Sequence, residues 1–239
     1  MKVNAEVLNN FLDGITLLGD SNDTSIKDCI LRGTTEKLAV IAVTPSKTII
    51  LGAELKGDFS ELGEVGVDSL PLFKKMVSTC KGEIELSRTT NKLNIKSGKK
   101  LKASLGLRNV QYVQNDLDKS KFDVLYTKAT GNAFTLSKEA IEEFKKYHAV
   151  FGKDIFVTGD GNSVSFDMDS GENSLELSID VPETVTKFKV KLSGMIVRLF
   201  GLIKSDDTKM SVNDGATVVL IETKTDDYVV KYLTAPMVK

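Results

Sequence analysis

Three chemically different positions recur along this chain at one spacing. Asn4, Glu6 and Phe11 return as Ser137, Glu139 and Phe144, each pair 133 residues apart. In both places a polar N-cap precedes an acid in the first helical turn and an aromatic on an apolar stripe, which is the opening of an amphipathic helix. The stripes are Leu8, Phe11, Leu12, Ile15 and Leu18 in the first copy, and Ala140, Ile141, Phe144, His148 and Phe151 in the second. A further pair of helices begins at Ser69 and Ser193, 124 residues apart, with Leu70, Phe73, Met76, Val77 and Met195, Ile196, Leu199, Phe200, Ile203 as buried sides. The difference between the two spacings fits a change in loop length. The pattern is an internal duplication, so the fold must be one that half the chain can adopt twice.

Outside these four segments the chain reads as short strands. Apolar runs and alternations occupy 25–31, 37–43, 48–55, 83–87, 92–95 and 101–107, then 154–158, 163–168, 174–179, 187–192, 208–212, 216–222 and 228–233. Gly, Asn, Ser and charged turns separate them, and such spacing predicts antiparallel sheet in an α+β fold. Between the copies lies RNVQYVQNDLDKSK, Arg108 to Lys121, which is polar and without sustained period. It suits a surface connector, giving an N-terminal domain over 1–107, a connector over 108–121 and a C-terminal domain over 122–239.

Composition limits the chemistry. Apolar residues make up 41% and charged residues 27% of 239 residues, enough for ordinary cores and unlike a disordered tail. The longest apolar runs, Leu38 to Val43 and Ala216 to Ile221, are far below the roughly 20 residues of a membrane span, and Met1 to Asn10 lacks a greasy signal core. No membrane partner is expected. Two cysteines, Cys29 and Cys80, and one histidine, His148, predict reduced buried thiols and neither a disulfide framework nor a metal site.

The net charge of -1 says little, but its distribution is uneven. The second helix, read over Ser69 to Gly82, holds Lys74, Lys75 and Lys81 without an acid, and its counterpart from Ser193 to Lys204 holds Arg198 and Lys204 without an acid. The third helix adds Lys138, Lys145, Lys146 and Lys153 beside Glu139, Glu142 and Glu143. Each base alone reads as a solvated helix face. Two acid-free helices at matched places predict a phosphate-facing surface. No helix-turn-helix, zinc finger or aromatic stacking strip accompanies it, so contact would be to the backbone, non-specific and salt-dependent.

Enzymatic readings find little support. There is no phosphate-binding loop ending in Gly-Lys-Ser/Thr and no nucleophile elbow, and His148 falls on an apolar stripe. Asp167, Asp169, Gly171 and Glu172 faintly resemble a calcium loop, but the glycine is displaced and Ser178 stands where a bidentate Glu is needed. A turn between strands is the better account. Gly159-Asp160-Gly161-Asn162 is expected to be a hairpin turn joining Val157 to Val164. No cofactor is expected.

Two copies of a helix, sheet, helix, sheet unit resemble the two-domain sliding clamps of the proliferating cell nuclear antigen type and their phage counterparts. The stretch from Lys191 to Lys239 looks like the family's helix beginning at Leu-Ser, its closing strands and a terminal Tyr-Leu followed by Ala-Pro; Thr234 stands as an insertion before Ala235. Val43 to Leu55, VTPSKTIILGAEL, resembles the family's Asp-Pro-Ser-Arg loop and the strand after it. The resemblance implies a homotrimeric ring around double-stranded DNA, with sheets outside and two helices per domain lining the pore. Its implied partners are a DNA polymerase and a clamp-loader ATPase, and its implied compartment is the cytoplasm of a prokaryotic or phage-infected cell, or a eukaryotic nucleus. Brevity and the divergent connector point to a viral member. The DNA-facing residues would be Lys74, Lys75, Lys81, Lys138, Lys145, Lys146, Arg198 and Lys204. Subunits would meet through Leu101, Ala103 and Leu105 on one strand and Leu175, Leu177 and Ile179 on another, whose alternation gives each an apolar face. A partner peptide would sit among Val43, Pro45, Ile50, Val110, Tyr112, Val113, Leu233, Ala235 and Pro236. The alternatives are a subunit of a heteromeric ring and an uncharacterised enzyme.

Overall fold

The computed structural model describes residues 1–17, 25–99, 101–151, 154–169, 174–194, 199–200, 202, 205, 207–213 and 215–237. They divide into two compact units, Met1–Phe122 with Asp226–Val230, and Asp123–Thr225 with Lys231–Lys239.

In the first unit the chain runs β1 (Lys2–Asn4), α1 (Ala5–Thr16), β2 (Cys29–Gly33), β3 (Lys37–Val43), β4 (Ile49–Lys56), β5 (Glu64–Val67), α2 (Leu70–Ser78), β6 (Glu83–Arg88), β7 (Lys92–Ser97) and β8 (Leu101–Arg108). The strands lie in the order β1-β6-β7-β8-β5-β2-β3-β4, and the ladders are antiparallel. Helix α1 forms as its sequence requires. Asn4 Oδ1 accepts from the Glu6 and Val7 amides at 2.9 and 3.3 Å, and Leu8, Phe11, Leu12 and Ile15 are buried. Leu18 lies outside the described residues. Period-2 burial is equally clear in β3, where Leu38, Val40 and Ala42 are buried and their neighbours half-buried. Helix α2 ends at Ser78, short of Gly82, and packs beside α1. Its N-cap Ser69 makes no side-chain bond to the helix.

The second unit contains β9 (Asn132–Leu136), α4 (Lys138–Phe151), β10 (Ile155–Asp169), β11 (Ser174–Leu192), β12 (Asp207–Val212) and β13 (Val219–Lys224), and shares β14 (Tyr228–Thr234) with the first. Between the two sheets' sequences come a 3-10 turn at Val110–Tyr112 and α3 (Lys119–Ala129). Strand β12 lies between β9 and β13 in antiparallel ladders, and β10 and β11 form a long hairpin. Ser137 caps α4, its Oγ accepting from Ala140 N at 3.1 Å. The side chains of His148 and Phe151 lie outside the described residues. The repeated aromatic plays the same part twice. Phe11 meets Tyr228 edge-on at 6.3 Å, and Phe144 meets Phe166 at 5.0 Å and Phe200 at 5.1 Å. Of the expected fourth helix, Leu199 and Phe200 are helical and buried, while Met195, Ile196 and Ile203 lie outside the described residues.

The structure corrects three expectations. First, β1, β5 and β9 are strands where the sequence reads as connections, because segments of 3, 4 and 5 residues are too short to show a period. Second, Gly159 to Asn162 is not a hairpin turn. It lies within β10 opposite a bulge of β11, where the four steps from Gly159 to Ser163 face the eight from Phe188 to Asp180 on β11. Gly159 is there because a Cβ would stand 2.2 Å from the Phe188 ring. The extra residues of β11 are tied to β9, where Glu183 accepts from Thr135 N at 3.1 Å and Thr135 Oγ1 at 2.6 Å. Burial raises the Glu183 carboxyl and these bonds lower it, with a net shift downward.

Third, the segment expected to be an aperiodic connector runs into the helix α3. Asp118 starts it, accepting from Ser120 N at 2.8 Å and from the Ser120 hydroxyl. Its apolar face is thin: Phe122 and Ala129 are buried but Val124 is 55% exposed, so no stripe announces it. Phe122 sits on β4 at Gly52, where a Cβ would lie 2.3 Å from the ring. Gly52→Val is therefore expected to lower stability by about 2 kcal/mol, read as a shift of the urea midpoint. An unchanged midpoint would show that the Phe122 ring can move aside at no cost.

Candidate nucleic-acid interface and subunit edges

The lysines expected to face DNA differ in what they can offer. Lys74 on α2 is paired with Asp13 on α1, and the two side chains are only 19% and 16% exposed. Its charge is neutralised within the fold. Lys75, on the same helix, is exposed in the last turn, where a cation complements the helix dipole. Lys81 is exposed in the turn between α2 and β6. On α4, Lys138 and Lys146 are exposed and Lys145 half-buried, with Lys146 Nζ 5.8 Å from the Tyr147 ring. Glu139, Glu142 and Glu143 are exposed on the same helix. Arg198, Lys204 and Lys153 lie outside the described residues.

The start of the connector is held by a buried carboxylate to which no sequence motif points. Asp28, 5% exposed, accepts from Asn115 N at 2.9 Å, Gln114 N at 3.1 Å and Arg108 Nη1 at 3.5 Å. Asn115 and Val43 exchange bonds, Val43 N to Asn115 O at 2.8 Å and Asn115 Nδ2 to Val43 O at 2.9 Å, and Asp116 bridges Ala42. Arg32 grips Asp116 with two bonds of 2.9 and 2.8 Å. No local pattern could reveal this, since Asp28 and Asn115 are 87 residues apart.

Among the residues expected to receive a peptide, Val43 and Ile50 are cross-strand neighbours and half-buried, and Pro45 is exposed in the turn between them. Val110 and Val113 are half-buried and Tyr112 is 65% exposed. In the second unit Leu233 is 2% exposed, so little of it is open to a peptide, while Ala235 is exposed and Pro236 half-buried.

The two strands expected to join subunits are both sheet edges among the described residues. Strand β8 pairs with β7 along Leu101 to Gly106, while β5 meets it only at Leu107 and Arg108. Along Ser174 to Asp180, β11 pairs only with β10. Each edge leaves part of the core uncovered. Leu101 and Ala103 are half-buried beside the buried Ile95, and Leu175, Leu177 and Ile179 are half-buried beside the buried Met168, Phe166 and Val164. Leu105 differs in being 3% exposed already within the single chain. Both thiols are buried and unpaired, and burial pushes the Cys29 thiol up. Among the described residues no group of three or more His, Cys, Asp or Glu is placed to hold a metal ion, and no helix is long and apolar enough to cross a membrane.

No family model matches the sequence, and no curated protein matches it at the sequence level. Solved structures match throughout. The PCNA of A. fulgidus, solved with the C-terminal region of FEN-1 bound, superposes with a TM-score of 0.78 at 14% identity, over 100% of this chain and 98% of that one. The proliferating cellular nuclear antigen of Entamoeba histolytica superposes with a TM-score of 0.77 at 13% identity, over 99% of this chain and 98% of that one. The chain has the sliding-clamp fold of the proliferating cell nuclear antigen type.

Proposed function

We propose that this chain is a DNA sliding clamp: copies of it join end to end into a ring that encloses duplex DNA without reading its sequence and keeps a polymerase on its template. The observation that carries this reading is a clamp fold spanning the whole chain, with a sheet edge that leaves apolar side chains half-covered at β8 in one unit and at β11 in the other. In this mechanism three copies pair β8 of one with β11 of the next, and a loader ATPase opens one contact to admit DNA. The ring performs no chemistry. Its effect is topological, since a tethered polymerase rebinds within the same complex instead of from bulk solution. Partner proteins dock through short peptides near the connector, where Tyr112 is exposed; the PCNA of A. fulgidus was solved with one such partner segment, the C-terminal region of FEN-1, bound to it.

The test is the molar mass of the isolated chain by light scattering together with retention on DNA. The expected mass is roughly three times 26.1 kDa, and the expected retention is on closed circular DNA with release upon linearisation. A mass of one multiple under all conditions would place the chain in a heteromeric ring or outside this function. Substrate turnover by the isolated chain would overturn the non-enzymatic reading.

The cationic surface makes a separate prediction. Replacing Lys75 and Lys81 together by glutamate is expected to flatten the salt dependence of DNA association while the protein stays folded. The log-log slope should fall by roughly 0.9 for every phosphate that a copy ceases to neutralise. Lys74→Glu should behave differently, destabilising the α1 and α2 pair beside Asp13 with little direct effect on DNA binding. An unaltered slope in the Lys75 and Lys81 variant would move the DNA-facing surface elsewhere.

A further inference from the structure

The exposed faces of the two free edges carry opposite charge. Along β8 the outward positions are Lys102, Ser104, Gly106 and Arg108, while along β11 they are Ser174, Glu176, Ser178 and Asp180. Neither Lys102 nor Asp180 has an ion-pair partner among the described residues. Arg108 has two carboxylates within reach, Asp28 and Asp68.

A second observation concerns the acidic edge alone. Asp167 on β10 stands directly opposite Glu176 on β11, a like-charge cross-strand pair of the kind that destabilises a sheet. Burial, then Glu176, raises the Asp167 carboxyl above its ordinary value, while Lys189 and the Ser165 hydroxyl pull the other way. Glu176 is further held by Ser178 Oγ at 3.1 Å. Lys189 offsets the repulsion only in part, and an incoming strand bearing Lys or Arg would relieve it further.

We infer that charge sets the register of the contact between copies of this chain: β8 of one copy pairs antiparallel with β11 of the next so that Lys102 stands opposite Asp180. The inference rests on the ring reading above and adds to it a specific alignment. The ladders in this chain are antiparallel, so an added strand continuing the same sheet is taken as antiparallel too. With Lys102 opposite Asp180, Ser104 faces Ser178 and Gly106 faces Glu176, so the long acidic side chain meets a position without one. On the other face small Ala103 meets branched Ile179, and Leu105 meets Leu177, closing the apolar strip over both edges. Arg108 then lies diagonal to Glu176, within reach of a long side chain. Pairing of like edges is disfavoured, because the free stretch of β8 offers Lys102 and no carboxylate to a second β8, and two copies of β11 would oppose Glu176 and Asp180. The same alternation that exposes these charges therefore selects head-to-tail closure over symmetric dimers.

The test is a charge swap read by sedimentation velocity over a concentration series at about 0.05 and 0.5 M salt, with circular dichroism to verify folding. Lys102 and Asp180 are both exposed, so either single change should leave the monomer intact. Lys102→Asp alone and Asp180→Lys alone are each expected to raise the dissociation midpoint roughly tenfold at low salt. The double variant, with the charges exchanged, is expected to recover most of that affinity, and the differences should shrink at high salt as screening increases. A double variant no better than the worse single one, or single variants that assemble like the native chain, would overturn this register while leaving ring formation intact. A native chain that stays monomeric at every concentration would overturn the ring reading and this inference with it.

Discussion

Replacing Leu177 with aspartate is expected to yield a folded protein that no longer assembles. Leu177 is half-buried on the β11 edge, next to Phe166 on β10, so the isolated chain already tolerates partial exposure there. In a closed contact the same position lies between two strands. A carboxylate forced into that seam would give up its water without gaining a partner, and the apolar area of the leucine would be missing as well. The combined cost is about 3 kcal/mol for each contact, or on the order of a hundredfold in dissociation constant. The measurement is light scattering across a concentration series, with a urea midpoint close to native as the check on folding. A variant that assembles normally would remove β11 from the contact. Leu105→Asp is the instructive contrast. Leu105 is 3% exposed in the single chain, so its change should lower the folding midpoint itself and would report on the core instead of the contact.

Asp28→Ala is expected to loosen the connector and cost about 3 kcal/mol of stability. The side chain is nearly enclosed and accepts from two backbone amides and from Arg108. Its removal strands the buried Asn115 amide without an acceptor and leaves Arg108 with only the more distant Asp68 at 3.9 Å. The urea midpoint gives the size of the effect. Amide exchange gives its place, since the Gln114 and Asn115 protons should exchange far faster while those of β10 and β11 keep their protection. A cost under about 1 kcal/mol would mean that the exchange of bonds between Asn115 and Val43 holds the connector by itself.

How far the sequence can be read depends on how local each signal is. Helix α1 is legible from Asn4 to Ile15, because its cap, its first-turn acid and its stripe lie within a dozen residues and the 3.6-residue period needs nothing else. Helix α3 is not. Its two buried anchors, Phe122 and Ala129, lie at opposite ends of an otherwise polar segment, and Phe122 finds its place only because β4 offers Gly52. The glycines within Gly159 to Asn162 read as a turn by the commonest rule for such a string. The residue that decides otherwise is Phe188 on the partner strand, whose ring needs the space that a side chain at Gly159 would fill.

The candidate site divides the same way. The apolar alternation of β8 and β11 points to joining edges from sequence, but the charges at the intervening positions acquire meaning only once both strands are known to be unpaired on one side. Lys74 and Lys75 are neighbours in the chain and look equivalent in it, yet the first is neutralised by Asp13 from another helix and the second is exposed.

By itself the sequence determined the duplication, the faces of the helices and the inward and outward sides of the strands, because each is a periodicity carried by neighbouring residues. Tertiary structure alone decided which lysine is paired within the fold, how the connector is held by Asp28 and where the β11 bulge falls. Those outcomes depend on groups from distant parts of the chain arriving within a few ångströms of each other, and hydrogen bonding, desolvation and steric exclusion act only at that range.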